Sequence, residues 1–486
     1  MPSEVTLPFW FVALAAVFAS AGVIDRLLMP SVRWALRRRA NRAIDELNTR
    51  LKLHIQPFKL TKRQVLIDRL VYDPVVLDAV SEHARETGQP HEVAIEHAKR
   101  YAREIVPSFN AYAYFRIGTR AARRLSEALY RVRLGYRNDE ALKAVDPDAA
   151  VVFVINHRSN MDYVLVTYVA ASSSALSYAV GEWAQVWGLR GLIRSMGAYF
   201  IRRDNSNALY RKILARYVQM ATQAGVVQAM FPEGGLTRDG QLRPAKLGLL
   251  SYMVSGFDPQ GSRDIVFIPV GLNYDRVIED RMQVAAGAKE AEGGKARFRF
   301  SPWVLAKFLG NAAWLKMRGR WHRFGYACVS FGEPLSLRRH LAWRAVDLRT
   351  APQERKAAEI ERLGNILMQR VGDVVPALPV SLVATVLLEA AGSPRTRFEI
   401  KGRVFDLIRL LEANGAYVHI PRQDRDYALD VGLRMLTLRH LAIEEGEDTF
   451  RANPDETALL QYYASSIAHL WTPRPAVEPP SLAGAA

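Results

Sequence analysis

Short apolar runs alternate with stretches of helical periodicity through the middle of the chain, residues 148–335. Runs rich in β-branched and aromatic side chains predict buried strands. These runs are Val151–Ile155, Ala175–Val180, Val226–Phe231, Ile265–Gly271 and Ala327–Phe331. The stretches between them that repeat apolar positions at helical spacing are Trp183–Met196, Leu209–Ala224 and Leu247–Phe257. Such alternation predicts an α/β fold with a three-layer core.

Helical periodicity dominates both flanks of this core. Before it, Val65–Ile105 and Ala111–Leu134 repeat apolar residues at helical spacing, and after it Glu354–Val371 and Phe398–Asn414 do the same. Within the core, the small, charged stretch Ala285–Gly294 predicts a loop. The predicted organisation is a membrane anchor 1–30, a helical N-terminal region 31–140, an α/β core 141–340, a helical C-terminal region 341–472 and a disordered tail 473–486.

The N-terminus carries the apolar run Val5–Ile24, which is long enough for a helix to span a bilayer. A group of arginines follows it: Arg33, Arg37, Arg38, Arg39 and Arg42. No basic residue precedes the run, whereas these arginines follow it. This unequal distribution of positive charge predicts that the chain after the run, with its active site, lies on the cytoplasmic side of the cell inner membrane. Two other interpretations stay open. Ala19-Ser20-Ala21 resembles a signal-peptide cleavage site, and Pro8 and Gly22 would suit a helix lying in the membrane surface.

The formal net charge of +17 and the isoelectric point near 9.9 predict anionic partners. No nucleic-acid-binding motif is present, so anionic membrane lipids are favoured over nucleic acid. Phe298–Phe324 mixes Trp303, Trp314 and Trp321 with several cations, which is typical of a membrane-interface segment or of an ordinary surface helix. The single cysteine, Cys328, excludes an internal disulfide.

The residues with the clearest chemistry follow the first predicted core strand. His157 and Asp162 stand with four residues between them, and Ser159 or Asn160 is suited to cap the helix that follows. An imidazole that is hydrogen-bonded to a carboxylate has a fixed tautomer and can act as a general base. The spacing alone is a weak signal, because most such pairs are structural or accidental.

Three more blocks follow in order: Gly197–Arg203, Phe231–Gly235 and Phe267–Val270. With the His/Asp segment they resemble the four motifs of the glycerolipid acyltransferases: HX4D, a GxxFIRR-like block, FPEG and IPV. Within that superfamily the chain is most similar to the glycerol-3-phosphate 1-O-acyltransferases. His-Arg-Ser in the first block, Glu-Gly-Gly in the third and the C-terminal stretch Tyr462–Leu470 carry this closer resemblance.

The resemblance implies roles for particular side chains. His157 would be the general base and Asp162 its hydrogen-bond partner. The glycerol phosphate would be framed by Arg202, Arg203, Glu233, Gly234, Gly235, Thr237 and Arg238, with Arg158, Ser159, Lys246 and Pro269 as secondary candidates. Pro269 is expected to shape a strand end near the acyl pocket. The family usually reads EGGRSR in the third block, and Leu236 replaces its first arginine, which puts the acceptor in doubt more than the reaction.

The resemblance implies transfer of a fatty acyl group from acyl-CoA or acyl-ACP to the sn-1 hydroxyl of glycerol 3-phosphate. No residue pattern suggests a metal or another cofactor. Acylation of dihydroxyacetone phosphate or of lysophosphatidate stays open, as does a catalytically silent scaffold at a lipid surface. The intact His157, Asp162 and Glu233 argue against the scaffold.

Overall fold

The computed structural model describes residues 55–170, 175–181, 189–202, 207–261, 263–294 and 323–473, together with Gly310, Trp314 and Arg318. Several predictions lie outside these residues: the membrane helix Val5–Ile24 and the arginines after it, the first part of the helical stretch Trp183–Met196, Arg203, most of the Trp-containing segment Phe298–Phe324, and the tail from residue 474. Across the described ranges, no helix is both long and apolar enough to cross a bilayer.

A mixed sheet of eight strands lies at the centre of the described chain. Its strands are β1 Arg131–Arg137, β2 Ala150–Ile155, β3 Ser177–Gly181, β4 Tyr199–Ile201, β5 Gln228–Met230, β6 Ile265–Tyr274, β7 Tyr326–Phe331 and β8 Leu335–Ser336. The order is β1-β7-β6-β2-β5-β3-β4, and β8 pairs with β6 beside β7. Strands β2 to β6 run parallel to their neighbours within that group, whereas β7 and β8 run antiparallel to β6.

The helices before and within the sheet are α1 Pro57–Leu60, α2 Arg63–Val71, α3 Pro74–Thr87, α4 His91–Ile105, the π-helix Ala113–Gly118, α5 Thr119–Leu129, α6 Asp139–Lys143, α7 Met161–Ala170, α8 Leu189–Ser195, α9 Ala208–Gln223, α10 Gly248–Val254 and α11 Asp280–Ala291. Those after it are α12 Leu337–Arg344, α13 Gln353–Asp373, α14 Pro379–Glu389, α15 Arg397–Ala413, α16 Arg425–Leu438 and α17 Thr457–Ala468. Short 3₁₀ turns at Pro421–Gln423 and Pro454–Glu456 and a small sheet of β9 Arg395–Thr396, β10 Ala442–Glu444 and β11 Thr449–Ala452 complete the C-terminal region.

Strand β2 shows how the sheet is covered. All six of its residues are buried, which is the pattern of a strand with both faces packed. Ala150, Val152 and Val154, on one face, belong to a core cluster with residues of α2, α3, α4, α9, α10 and α13. The intervening Val151, Phe153 and Ile155 are equally buried on the other face. The predicted α/β fold with many helices is confirmed.

The prediction that Ala111–Leu134 is helical throughout is wrong at its C-terminal end. Helix α5 ends at Leu129, and Arg131–Arg137 forms β1 in parallel register with β7. Alternate charged and apolar residues in the sequence RVRLGYR fit an edge strand, because side chains of successive residues point to opposite faces. The sheet therefore begins before the predicted boundary at residue 141.

The predicted loop Ala285–Gly294 is also wrong, because most of it belongs to helix α11. Alanine, glutamine, lysine and glutamate have high helix propensity, and they outweigh the single internal Gly287. Gly287 lies against Arg238, where an added Cβ atom would come within 3.0 Å of the Arg238 Cβ atom. The chain leaves the helical conformation only at Gly293, whose φ is +81°.

Pro269 lies in the middle of β6 rather than at a strand end, so that prediction is wrong as well. On one side of β6 the partner changes from β8, which pairs with Val266 and Phe267, to β7, which pairs from Val270 onward. Pro269 lies between these two pairings, where its missing N–H removes no ladder hydrogen bond to either strand. Its carbonyl accepts a hydrogen bond from the N–H of Gly332 at 2.8 Å.

Candidate active site

The His/Asp segment leaves the sheet at the carboxyl end of β2, where open α/β sheets place their ligands. Asn156 fixes the start of this loop to the neighbouring strand. Its amide nitrogen donates to the carbonyl of Leu272 at 3.0 Å, and its amide oxygen accepts from the N–H of the same residue at 2.7 Å. This double hydrogen bond sets the position from which His157 projects.

The Asp162 carboxylate is fully buried and accepts four hydrogen bonds. Oδ2 accepts from Nδ1 of His157 at 2.9 Å and from the N–H groups of Arg158 and Ser159 at 2.7 and 3.0 Å. Oδ1 accepts from the hydroxyl of Tyr274 at 2.6 Å. The backbone groups can only donate, so an ionised Asp162 requires the proton of the neutral imidazole to lie on Nδ1. That tautomer leaves a lone pair on Nε2.

Tyr274 supports this arrangement from the C-terminal end of β6. Burial, and then the charge of Asp162, hold the pKa of this phenol well above its ordinary range. Tyr274 therefore keeps its proton near neutral pH and donates it to the hydrogen bond with Asp162.

Aromatic side chains enclose the His157 imidazole. Its centroid lies 4.3 Å from that of Phe231 and 5.5 Å from that of Tyr163, which meets it edge-on. Among the described residues none hydrogen-bonds Nε2, and His157 lines a cleft of about 490 Å³. The imidazole is thus held by its Nδ1 side and by its faces, and its second nitrogen is left for a ligand.

Glu233 connects the His/Asp segment to the loop after β5. Its buried carboxylate accepts from the N–H of His157 at 2.8 Å and from that of Arg243 at 3.1 Å. Burial raises the pKa of Glu233 to about 7, although the two N–H groups oppose that shift. Glu233 therefore binds the backbone of the two loops.

The residue after Glu233 must be a glycine, both because of its backbone conformation and because of the atoms around it. Gly234 has a φ of +65°, and an added Cβ atom would lie 2.5 Å from Cδ of Lys246. Both constraints favour glycine, because other residues rarely adopt this conformation. The close approach brings the Lys246 side chain to the wall of the cleft, which Gly234 and Gly235 also line.

The cleft has two kinds of wall. Its apolar residues come from β3, β4, β5, α9 and α10, and they include Ala179, Val180, Ile201, Leu214, Met230 and Leu249. Its cations Arg238, Arg243 and Lys246 come from the loop after β5, and α11 adds Gln283 and Glu290. Such a combination can hold a molecule with both an acyl chain and an anionic group.

Two of the predicted phosphate ligands already have carboxylate partners. Arg202 lines the cleft, but its Nε and one Nη donate to the two oxygens of Glu104 at 2.9 and 2.6 Å. Arg238 donates to Gln283 and, at 3.3 Å, to Glu290. In the described structure no carboxylate pairs with Lys246 or with Arg243, whose guanidinium donates to the carbonyl of Leu236 at 3.4 Å.

Five of the residues predicted for the glycerol-phosphate site do not line the cleft: Glu233 and Pro269, whose contacts are given above, and Thr237, Arg158 and Ser159. The Thr237 hydroxyl donates to the carbonyl of Gln241 at 2.8 Å, and its N–H donates to the carbonyl of His157 at 3.1 Å. Arg158 is buried, donates to the carbonyl of Gly240 at 2.9 Å and stacks on Tyr462. The Ser159 hydroxyl donates to Glu279 at 2.7 Å. These side chains organise the loops behind the cleft.

The sequence did not predict that Arg243, Glu279, Tyr163 and Tyr274 belong to the site. Tyr274 lies three residues beyond the predicted end of its strand, and the nearly continuous apolar run of β6, which extends past Gly271 to Leu272, was the signal that could have included it. The others carry no spacing that singles them out. In the described chain, no group of three or more His, Cys, Asp or Glu side chains could hold a metal ion.

Two family models match the chain. Residues 133–273 match the model described as Acyltransferase, and residues 312–478 match the one described as Glycerol-3-phosphate acyltransferase C-terminal region. The His/Asp segment and strands β2 to β5 therefore lie in the part of the chain that is similar to the acyltransferase model, whereas β7 and β8 lie in the part matched by the second model. The following region is similar to the C-terminal part of one kind of acyltransferase.

Individual relatives carry the enzyme name that appears in the description of the second family model. Proteins named glycerol-3-phosphate acyltransferase from Pseudoalteromonas atlantica, Aeromonas hydrophila and Pasteurella multocida are 26%, 28% and 26% identical to the chain. Each alignment covers 85% of this chain, and 50%, 50% and 51% of the respective relative. The resemblance to the glycerol-3-phosphate acyltransferase family is confirmed, and the chain spans about half the length of these relatives.

One solved structure also matches, the 1-acyl-sn-glycerophosphate (LPA) acyltransferase PlsC of Thermotoga maritima. It is 14% identical, and the match covers 63% of this chain and 96% of that one with a TM-score of 0.30. A superposition this loose has no bearing on the site.

We predict that Glu233 makes folding stability depend on pH. Its pKa is about 7 in the folded chain and 4.5 ordinarily, so its contribution is fully present below pH 4.5 and is lost as the pH rises through 7. Between those limits, the wild type should lose roughly 3 kcal/mol more unfolding free energy than Glu233→Gln. Urea unfolding across this pH range measures the difference.

The exposed Glu292 provides the control for this measurement. A Glu292→Gln variant should follow the wild type at each pH, because no burial distinguishes its folded and unfolded environments. Parallel stability curves for the wild type and Glu233→Gln would show that the folded structure does not shift the ionisation of Glu233.

Proposed function

We propose that the chain transfers a fatty acyl group from an acyl thioester to the sn-1 hydroxyl of glycerol 3-phosphate. The observation that carries this proposal is the His157–Asp162 pair at the wall of a cleft that has both apolar and cationic residues. The similarity to proteins named glycerol-3-phosphate acyltransferase supports the choice of acceptor. The product is lysophosphatidic acid, a precursor of phospholipids.

In the proposed reaction, Nε2 of His157 takes the proton of the acceptor hydroxyl as its oxygen attacks the thioester carbonyl. Asp162 holds the imidazole and stabilises the imidazolium that forms. The C–S bond then breaks, and the imidazolium returns the proton to the leaving thiolate. A thioester is already activated, so no enzyme nucleophile is needed.

The hydrogen bonds of the His/Asp segment limit where the negative charge on the carbonyl oxygen can be stabilised. Each backbone N–H from His157 to Asp162 already has an acceptor. The segment therefore has no N–H to offer the oxyanion. In the proposed mechanism the stabilising donors come from other residues of the cleft wall.

We assign the acceptor phosphate to Lys246 and Arg243. Both line the cleft on the side of the loop after β5, and neither pairs with a carboxylate among the described residues. Arg202 and Arg238 would have to give up Glu104 and Glu290 before they could bind a phosphate. The loss of the family's arginine at Leu236 is then compensated by cations ten or fewer residues further along.

The acyl chain is assigned to the apolar wall formed by β3, β4, β5, α9 and α10. Leu214 and Met230 are almost fully buried in this wall. An acyl chain that packs against the wall is therefore transferred out of water into an apolar environment. The donor is acyl-CoA or acyl-ACP; both present the same thioester to this wall.

The general-base assignment predicts that His157→Ala loses about 10²–10⁴-fold in kcat while the protein stays folded. Asp162→Asn should be severely impaired too, because it favours the wrong tautomer of His157. The assay uses detergent-purified protein, radiolabelled glycerol 3-phosphate, and acyl-CoA or acyl-ACP. More than about a tenth of the wild-type rate in His157→Ala would contradict general-base catalysis by this residue.

For the acceptor site, we predict that Lys246→Met raises the KM for glycerol 3-phosphate by at least about tenfold and leaves the KM for the acyl donor near its wild-type value. Methionine keeps the apolar stem that packs on Gly234. Arg202→Met is the comparison, and it should change the acceptor KM less because Arg202 is paired with Glu104. A larger increase of the acceptor KM in Arg202→Met than in Lys246→Met would indicate that Arg202 binds the phosphate.

We also propose attachment to the inner face of the cell inner membrane, as the run Val5–Ile24 and the net charge suggest. The surface of the π-helix and α5 supports this proposal. Arg116, Arg120 and Arg124 form one exposed row, and Ile117, Ala121 and Leu125 form an exposed row beside it. Exposed apolar residues beside cations are typical of helices that lie in an anionic membrane surface.

The membrane proposal predicts that protein lacking residues 1–30 still sediments in part with anionic vesicles at low salt and is released at high salt. Replacing Arg116, Arg120 and Arg124 with alanine in that truncated protein should remove most of the remaining binding, because each cation contributes about 1 kcal/mol. Alanine at the exposed Arg355, Arg362 and Arg434 is the control. Equal losses in both triple variants would mean that only net charge matters.

A further inference from the structure

Glu279 contacts the His/Asp segment from the opposite side to Glu233. Its Oε2 accepts from the Ser159 hydroxyl at 2.7 Å, and its Oε1 accepts from the N–H and the side-chain amide of Asn160 at 3.3 and 3.1 Å. These two residues lie between His157 and Asp162. Glu279 does not line the cleft, whereas Asn160, which it holds, does.

The residue after Glu279 is held by the C-terminal region. Asp280 is buried, and its Oδ2 accepts from Arg439 at 2.5 Å and from the hydroxyl of Tyr463. That hydroxyl also accepts from Arg439 at 2.8 Å and from the N–H of Val277 at 3.1 Å. The first residue of the segment 277–280 is therefore hydrogen-bonded to Tyr463 of α17, and the last is hydrogen-bonded to Tyr463 and to Arg439, which follows α16.

We propose that Glu279 is a positioning residue, through which the C-terminal region sets the geometry of the His157–Asp162 pair. The path runs from Tyr463 and Arg439 through Asp280 and Glu279 to Ser159 and Asn160. Its outer members lie in the region matched by the C-terminal family model, and its inner members lie in the segment that carries the base. The inference rests on the proposed acyl transfer for its kinetic test.

The expected size of the effect follows from how sensitive catalysis is to placement. A displacement of about 1 Å at a reacting group can cost about 100-fold in rate. Removal of the Glu279 carboxylate frees three donors at the segment, but it leaves in place the residues assigned to the phosphate and to the acyl chain. We therefore expect the loss in kcat and not in KM.

The test compares Glu279→Ala and Glu279→Gln in the untruncated chain of residues 1–486. Glu279→Ala should lower kcat by about 10- to 100-fold with both KM values within about twofold. Glu279→Gln should keep most of the activity, because its amide oxygen can still accept from Asn160 and its amide nitrogen can donate to the Ser159 hydroxyl. Glu292→Ala, at an exposed glutamate next to α11, should match the wild type.

A double variant tests whether Glu279 acts through Ser159. Because the Ser159 hydroxyl also accepts from the N–H of Met161, combining Ser159→Ala with Glu279→Ala should lower kcat further than Glu279→Ala alone, but by less than the product of the two single losses. At the outer end of the path, Tyr463→Phe and Arg439→Ala should lower kcat in the same way, whereas Arg434→Ala on the exposed surface of α16 should not.

Three results would overturn the proposal: wild-type kcat in Glu279→Ala, equal damage from alanine and glutamine, or additive losses in the double variant. An inactive wild type would refute the proposed reaction instead. Amide hydrogen exchange at Arg158–Met161 then decides the positioning role by itself. Faster exchange there in Glu279→Ala, but not in Glu292→Ala, would support it, and unchanged exchange would refute it.

Discussion

The site depends on one fully buried carboxylate, that of Asp162, which lies among four donors. A buried charge is expensive unless every lone pair is satisfied, so this arrangement tolerates little change. The same four hydrogen bonds fix the backbone at Arg158 and Ser159, the tautomer of His157 and the rotamer of Tyr274. Chemistry and local structure are thus determined by a single group.

Two further carboxylates also hold the His/Asp segment by accepting its backbone N–H groups. Glu233 holds the N–H of His157, and Glu279 holds that of Asn160. The loop between β2 and α7 has backbone N–H groups without partners in a strand or helix, and acidic side chains from three different elements accept those of residues 157–160. The segment needs all three elements in place. Its geometry is therefore a property of the assembled fold and not of the HX4D spacing alone.

The sequence predicted the buried strands well because burial on both faces demands continuous apolar residues, as in β2. It failed at β1, where arginines occupy an exposed edge, and at Ala285–Gly294, where composition suggested a loop but helix propensity prevailed. The partner of Arg202 could not be predicted, because Glu104 lies 98 residues earlier on a helix with no marked chemistry. Local pattern determines elements, whereas the pairing of charges depends on the tertiary arrangement.

The pairing of β1 with β7 has a consequence for synthesis on the ribosome. β1 leaves the ribosome early, but its partner ends at Phe331, roughly 200 residues later. At elongation rates of about 5–20 residues per second, β1 waits roughly 10–40 s before it can join the sheet. An unpaired strand invites association with other chains. The alternating arginines of RVRLGYR keep this strand charged during that interval, which protects the nascent chain from aggregation.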